Sequence, residues 1–441
     1  MTNRNDELPT VVIGAGPVGL AAAAHLAERG LDFLVLEAGT GVAAAIEEWR
    51  QVRLFSPWRY DIDAAARRLL DADGWVSPDP DALPTGGELV DAYLQPLAKL
   101  PALANRIRYG ARVAGITRLG FDRMRSAGRE QAPFLVRLES GEELVARSVI
   151  DASGTWRTPN VLGGYGLPGR GEREAGELIV APLPDVLDRD RERFAGRRVV
   201  VVGAGHSAAT TLLELADPAL GSDVTWAIRG KDPRRVYGGG DADELPARGR
   251  LGTRLHALVD AGRVTLVADF AVEAVERDGD SVVLVAASGE RLTADVVVNA
   301  TGFRPDHAIA AELRLDLDPI LGATRALAPL IDPNQHSCGT VPPHGVEQLS
   351  HPDTGYYAVG VKSYGRAPTF LLATGYEQIR SVVAALAGDW DAARDVRLEL
   401  PETGVCSTAA PREAGRGLAT GLRTASTVLP LAETTTGGCC G

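Results

Sequence analysis

The sequence predicts an α/β protein. It has two Rossmann-like dinucleotide-binding domains, a small β-meander inserted in the first, and a mobile C-terminal tail. Three observations predict this. A strand, glycine turn, helix and second strand run through residues 11–37. A second copy of that unit begins at Arg198. From residue 401 onward no aromatic residue occurs and Gly, Ala, Thr and Pro prevail, a composition too poor in apolar side chains to offset the entropy of ordering. The chain of 441 residues is long enough for two or three domains, and a 45% apolar fraction suffices for their cores.

The first unit starts with Val11-Val12-Ile13, a short apolar run suited to a buried parallel strand. Gly14 and Gly16 permit a tight turn and close approach of backbone to a pyrophosphate, with Pro17 after them, and Gly19 lets the next helix pack on the strand. That helix is expected over residues 20–29, stopped by Gly30. Residues 33–36 form the second strand and end in Glu37, 37 − 14 = 23 residues past the first glycine, where a carboxylate accepts from ribose hydroxyls. Trp49, Arg53 and Phe55 follow on an irregular segment and read either as a wall beside a flat ring or as core aromatics. An amphipathic helix is expected over 89–100 and a single strand over 107–119, with Val113 near the adenine. Residues 134–138 and 143–149 make a hairpin turned at Ser140-Gly141, which completes the meander. The chain then returns to the first sheet at 148–156, where Gly154 allows backbone approach at the end of a strand.

Pro168-Gly169 marks a crossing into the second unit. Here the strand 198–202 precedes Gly203, Gly205 and Ser207, and Ala208 takes the place of the third glycine. The strand 223–228 ends in Arg229, 229 − 203 = 26 residues on, and an arginine there suits the 2′-phosphate of NADP rather than the ribose of NAD. Residues 272–276 and 281–286 read as a hairpin, and 295–305 as a buried strand breaking at Gly302. Asn334, His336, Cys338, Thr340, His344 and His351 fall within 351 − 334 + 1 = 18 residues, but their spacing fits no compact zinc motif, so no metal is expected. Residues 356–362 read as the last strand of the first sheet, delivering Gly360 and Lys362, and a helix follows over 369–386. The domain limits are therefore 8–165 with 326–400, then 166–325, then the tail 401–441.

A net charge of −12 argues against nucleic acid or an anionic membrane as partner. No apolar stretch is long enough to span a bilayer, and the polar, acidic start is unlike a secretory signal, so a cytoplasmic location is expected. Only Lys99, Lys231 and Lys362 are lysines, which makes each of them notable. Four cysteines make no disulfide framework, yet Cys439 and Cys440 are adjacent at the end of the tail, and a thiolate pair is both a soft ligand and a redox couple.

In this order GAGPVG with Glu37, GAGHSA with Arg229, and NATGF at 299–303 resemble the two-dinucleotide-domain flavoproteins. Among these the chain is most similar to flavin-containing monooxygenases, and especially to those encoded in bacterial arsenic-resistance clusters. RLFSPW (53–58), DASGTW (151–156), IDPNQHSCGTVPPHG (331–345) and GVKSYGRAPTF (360–370) carry the closer likeness. The resemblance implies FAD on Gly14, Gly16, Gly19 and Glu37, and NADPH on Gly203, Gly205, Ser207 and Arg229. Molecular oxygen and a small soft nucleophile or carbonyl would be the substrates, with a homodimer left open. Cys338, His344 and Lys362 are the candidate catalytic residues. Two features depart from the family. The monooxygenase fingerprint places a Phe, a Gly and a His before the second motif, and residues 167–198 hold Pro168-Gly169 but no His. The Cys439-Cys440 end instead resembles the tails of large thioredoxin reductases and mercuric reductase. It keeps open a thiol or metalloid reductase using Cys338 with that pair, or a non-enzymatic thiol sensor for trivalent arsenic.

Overall fold

The computed structural model describes residues 7–334, 341–367, 370–397 and 401. Two five-stranded parallel sheets dominate. The first is built from β1 (Thr10–Ile13), β2 (Phe33–Leu36), β3 (Ile107–Arg108), β7 (Ser148–Asp151) and β16 (Tyr356–Ala358), in the order β16-β7-β1-β2-β3. The second joins β8 (Ile179–Val180), β9 (Arg198–Val202), β10 (Asp223–Ala227), β11 (Thr265–Val267) and β15 (Val296–Asn299), in the order β11-β10-β9-β15-β8. In each sheet the glycine-turn strand is central and flanked by the strand its helix leads to and by the strand that returns after a meander. The meanders are β4 (Val113–Arg118), β5 (Phe134–Leu138) and β6 (Glu143–Ala146), and then β12 (Val272–Asp278), β13 (Ser281–Ala286) and β14 (Arg291–Ala294).

The duplication thus extends further than the sequence indicates: the second half carries a meander of its own, because β14 adds to the expected hairpin. The strand expected over 107–119 is two strands in two sheets. Gly110 at φ 64° breaks it, and Gly110 and Ala111 donate to the carbonyls of Gly39 and Glu37 instead of continuing a ladder. The first helix spans Pro17–Glu28, three residues earlier than expected, since Pro17 at its first position has no N–H to leave unsatisfied. The helix expected over 89–100 begins at Gly86 behind a Thr85–Glu88 capping box, winds as a π turn over Val90–Leu94, and ends at Lys99. Pro101 disfavours helical geometry at Leu100. The helix expected from 369 runs Leu372–Leu386; Thr369 lies outside the described residues.

Ala21 to Ala24 on the first helix are fully buried in the first core, with Tyr93, Tyr376 and Ile379. Small side chains there let the helix be enclosed on every side. Among the described residues no helix is long and apolar enough to cross a membrane.

Asp61, whose carbonyl accepts from the Tyr376 hydroxyl at 2.7 Å, is fully buried. Its Oδ1 accepts from Ser56 Oγ at 2.8 Å, while its Oδ2 has no partner. Burial pushes its carboxyl up to about 7, against the Ser56 hydrogen bond. A carboxyl that holds its proton more tightly when folded stabilises the protein fully below its unfolded value near 4. That contribution is lost as pH rises towards 7. Asp61→Asn is therefore expected to become more stable relative to wild type as pH rises from 5 to 8. Urea unfolding of both proteins at the two values measures this, and an unchanged difference would refute it.

Candidate active site

A cavity of about 640 Å³ opens where the carboxyl ends of β1 and β7 meet the start of the second motif's helix. This volume lies within the range that holds cofactors and small ligands. Gly14, Gly16, Pro17 and Glu37 line it from the first motif, Arg112 and Val113 from the start of β4, and Gly154 and Trp156 from the loop after β7. His206, Ser207 and Thr210, at the start of the helix His206–Leu215, line it from the second motif. Trp49, Arg53, Phe55, Phe303, Gly360, Lys362 and Phe370 complete the wall.

The glycines divide into two kinds. A Cβ on Gly19 would lie 1.9 Å from the Gly14 carbonyl oxygen, and one on Gly203 2.1 Å from that of Ala300; these are required by packing. A Cβ on Gly16 or Gly205 would meet no protein atom within 4 Å. Both also have ordinary extended dihedrals, φ −79° and −106°. Neither packing nor backbone strain within the chain calls for glycine at these two turns, and both leave open space into which a ligand could come close to the backbone. Residues that cradle a pyrophosphate fit this pattern.

Glu37 stands at the end of β2 with Oε2 accepting from Ala15 N–H and Oε1 from Gly39 N–H, both at 2.7 Å. These bonds fix the carboxylate beside the turn and leave each oxygen a further lone pair for a ribose hydroxyl. Trp49 packs against the core and also lines the cavity, 6.4 Å from Trp156. Trp156 in turn lies 4.9 Å from Phe303 and donates Nε1–H to Glu48 at 2.8 Å. The Phe55 and His206 rings are 5.0 Å apart, so the two halves meet across the cavity. His206 is open to that space, but the surrounding protein desolvates it, and this with the Arg248 charge lowers its pKa against the pull of Asp243.

Lys362 reaches the lining but is not a free cation. It is buried, and Nζ donates to Asp151 Oδ2 at 2.7 Å and to Ser153 Oγ at 3.0 Å. Tyr356 donates to the same carboxylate at 2.9 Å. Burial would raise the Asp151 carboxyl, but the charge and hydrogen bond of Lys362, with Ser153, hold it below the usual range. Two of its three donors therefore face protein.

His344 lies outside the cavity lining. It is buried, with Nδ1 3.0 Å from the Pro342 carbonyl and Nε2 3.1 Å from Gln378 Nε2, and burial lowers its pKa. These contacts are those of a loop anchor. Gly203, Gly205, Gly302 and Arg229 are also off the lining; Arg229 is exposed beside the second motif and donates to the Gly164 carbonyl at 3.0 Å. Cys338, Cys439 and Cys440 lie outside the described residues, as does Cys406. Among the described residues no group of three or more His, Cys, Asp or Glu side chains is placed to hold a metal. Sequence reasoning missed Asp151, Trp156, Phe303 and His206. Asp151 left a signal: an acid inside an apolar parallel strand requires a buried cation, and the chain has only three lysines.

The profile of the pyridine nucleotide-disulphide oxidoreductase family matches residues 8–322. An indole-3-pyruvate monooxygenase (YUCCA1) of Oryza sativa subsp. japonica is 32% identical over 207 residues, which cover 46% of this chain and 44% of that protein. The chain thus matches under half the length of that relative. A ferredoxin–NADP reductase of Verminephrobacter eiseniae is 27% identical over 87% of this chain and 92% of its own. In fold, the bacillithiol disulfide reductase of Bacillus cereus superposes with a TM-score of 0.63 at 20% identity, covering 86% of this chain and 99% of that one.

Proposed function

The chain belongs to the pyridine nucleotide-disulphide oxidoreductase family, an enzyme with FAD and NADPH as its cofactors, and from that premise we propose that it is a flavoprotein monooxygenase. Its substrate in this reading is a small soft nucleophile or carbonyl, and the arsenic-resistance likeness of the four quoted segments makes trivalent arsenic one such nucleophile. The observation that carries the reading is the shared cavity, lined at once by the Gly14–Gly16 turn and by the start of the second motif's helix. Its aromatic walls would shield a bound ring from water, as chemistry with a reduced flavin and oxygen requires.

In this reading Gly14, Gly16, Pro17, Gly19, Glu37, Trp49, Arg53, Val113, Gly154 and Gly360 hold FAD, within 8–165 and 326–400. Gly203, Gly205, Ser207, Arg229 and Gly302 hold NADPH, within 166–325. When bound, FAD supplies the redox chemistry, accepting two electrons from NADPH and passing them to oxygen. The chain positions and shields: Trp156 and Phe303 close the wall, and Lys362 holds its protons on Asp151 and Ser153 at the edge of the cavity.

The test is anaerobic reduction by NADPH followed by air, with methyl phenyl sulfide or arsenite present. Oxygenated product formed in step with NADPH consumption is the expected result. Reoxidation that releases stoichiometric peroxide and no such product would overturn the reading. The alternative, a thiol or metalloid reductase using Cys338 with Cys439 and Cys440, predicts loss of turnover in the Cys439→Ser, Cys440→Ser protein. Retained turnover in that protein supports the oxygenase.

A further inference from the structure

A second cavity, of about 260 Å³, adjoins the first, and Trp156 and Leu183 line both. Its other apolar walls come from Val180, Pro182, Pro184 and Phe194, in the segment that lacks the fingerprint histidine. Leu183 is one of only three non-glycine residues with positive φ among the described residues, at φ 60°, and Gln51 Nε2 holds its carbonyl at 3.0 Å. The boundary between the two cavities is thus held by a residue in a sparsely populated backbone geometry.

The charges on the rim are unevenly matched. Glu48 is engaged by Trp156 Nε1–H at 2.8 Å and by Arg157. Asp190 is engaged by Arg189 at 2.9 Å and by the Asp185 N–H at 2.8 Å. Arg193 remains. Its guanidinium donates to the Glu177 carbonyl, while the Glu177 carboxylate faces Arg277 at 3.0 Å. No carboxylate of a described residue pairs with Arg193. The chamber therefore combines an apolar interior with a guanidinium that no carboxylate of a described residue contacts directly, although Asp190 and Glu177 lie within reach of its charge, and its remaining donors are of the kind that grip a carboxylate.

We propose that this chamber binds the substrate, and that the substrate it prefers is a small carboxylate whose apolar body carries the soft nucleophile past Trp156 and Leu183 into the first cavity. This rests on the oxygenase reading and adds to it the anionic end of the substrate. Its volume, below that usual for drug-sized ligands, limits the body to about one ring or a short alkyl chain.

The test uses (phenylthio)acetate, a thioether carboxylate, and its neutral counterpart methyl phenyl sulfide, titrated calorimetrically into FAD-loaded enzyme. Arg193→Gln, at an exposed side chain, is expected to weaken (phenylthio)acetate binding about tenfold or more, the loss typical of a charged hydrogen bond, and to leave the sulfide unchanged. Ala181→Trp, which fills the chamber, is expected to abolish binding of both. Flavin reduction by NADPH in both variants is expected to stay at the wild-type rate. Unchanged (phenylthio)acetate affinity in Arg193→Gln, or retained binding in Ala181→Trp, overturns the chamber while the NADPH reaction still stands. Failure of NADPH to reduce the flavin, with the binding pattern intact, overturns the oxygenase reading and leaves the chamber.

Discussion

Gly16→Val is expected to give a folded but colourless protein. The valine Cβ would meet no protein atom within 4 Å, and φ −79° is ordinary for an L-residue. Only the weaker helix N-cap disturbs the apoprotein, a cost of about 0.5–1 kcal/mol or a few degrees in melting temperature. The two methyl groups fill space that a pyrophosphate must approach, and a loss of FAD affinity of at least about 100-fold, roughly 2.8 kcal/mol, is expected. Gly205→Val is the matched case: again no protein clash, a yellow protein, and slow reduction by NADPH. Gly19→Ala provides the contrast. Its Cβ would sit 1.9 Å from the Gly14 carbonyl oxygen, so both melting temperature and FAD content should fall. Visible absorbance and thermal unfolding separate the three outcomes. If Gly16→Val retains stoichiometric FAD, the cradle lies elsewhere.

The second large effect concerns Lys362. Lys362→Met removes the cation from a carboxylate that is completely buried, and breaking a buried ion pair from one side typically destabilises by roughly 3–5 kcal/mol. Adding Asp151→Asn removes the stranded charge, so the double variant should recover most of the loss. The pH dependence has a definite sign. In wild type the Asp151 carboxyl is held low, so its contribution is present above the ordinary carboxylate value and lost as pH falls through the lowered one. Without Lys362 burial dominates and raises that carboxyl, so the single variant should lose least at acidic pH and most near neutrality. Denaturant midpoints from pH 4 to 8 measure this. A loss that does not vary with pH would mean that Lys362 acts through packing alone.

The fold was legible where its chemistry is written in contiguous residues. A glycine turn, its strand and its helix occupy the contiguous residues 10–28 and 198–215, and both copies form the parallel units expected. The break at Gly110 was not legible, because the apolar pattern continues on both sides and only the carbonyls of Glu37 and Gly39, over seventy residues earlier, decide the new partners. The candidate site divides in the same way. Gly14, Gly16 and Glu37 follow from local spacing. Trp156, Leu183 and Phe303 have no periodic signal and are brought together by contacts across long stretches of chain. Lys362 stood out by rarity, but its restraint by Asp151 depends on the pairing of β16 with β7. The strained Leu183 follows a proline and precedes another, and nothing in that local pattern foretells a positive φ.

That pairing has a consequence for how the molecule is made. The sheet that begins with β1 is not finished until β16 joins it beside β7, whereas the last strand of the other sheet ends at Asn299, 358 − 299 = 59 residues before β16 ends. On the ribosome the half that starts first is therefore completed last, with β7 an unpaired edge and Asp151 without its lysine until synthesis has passed residue 362. A nascent chain arrested before Tyr356 can assemble its second sheet, but it must wait to close the floor of its first.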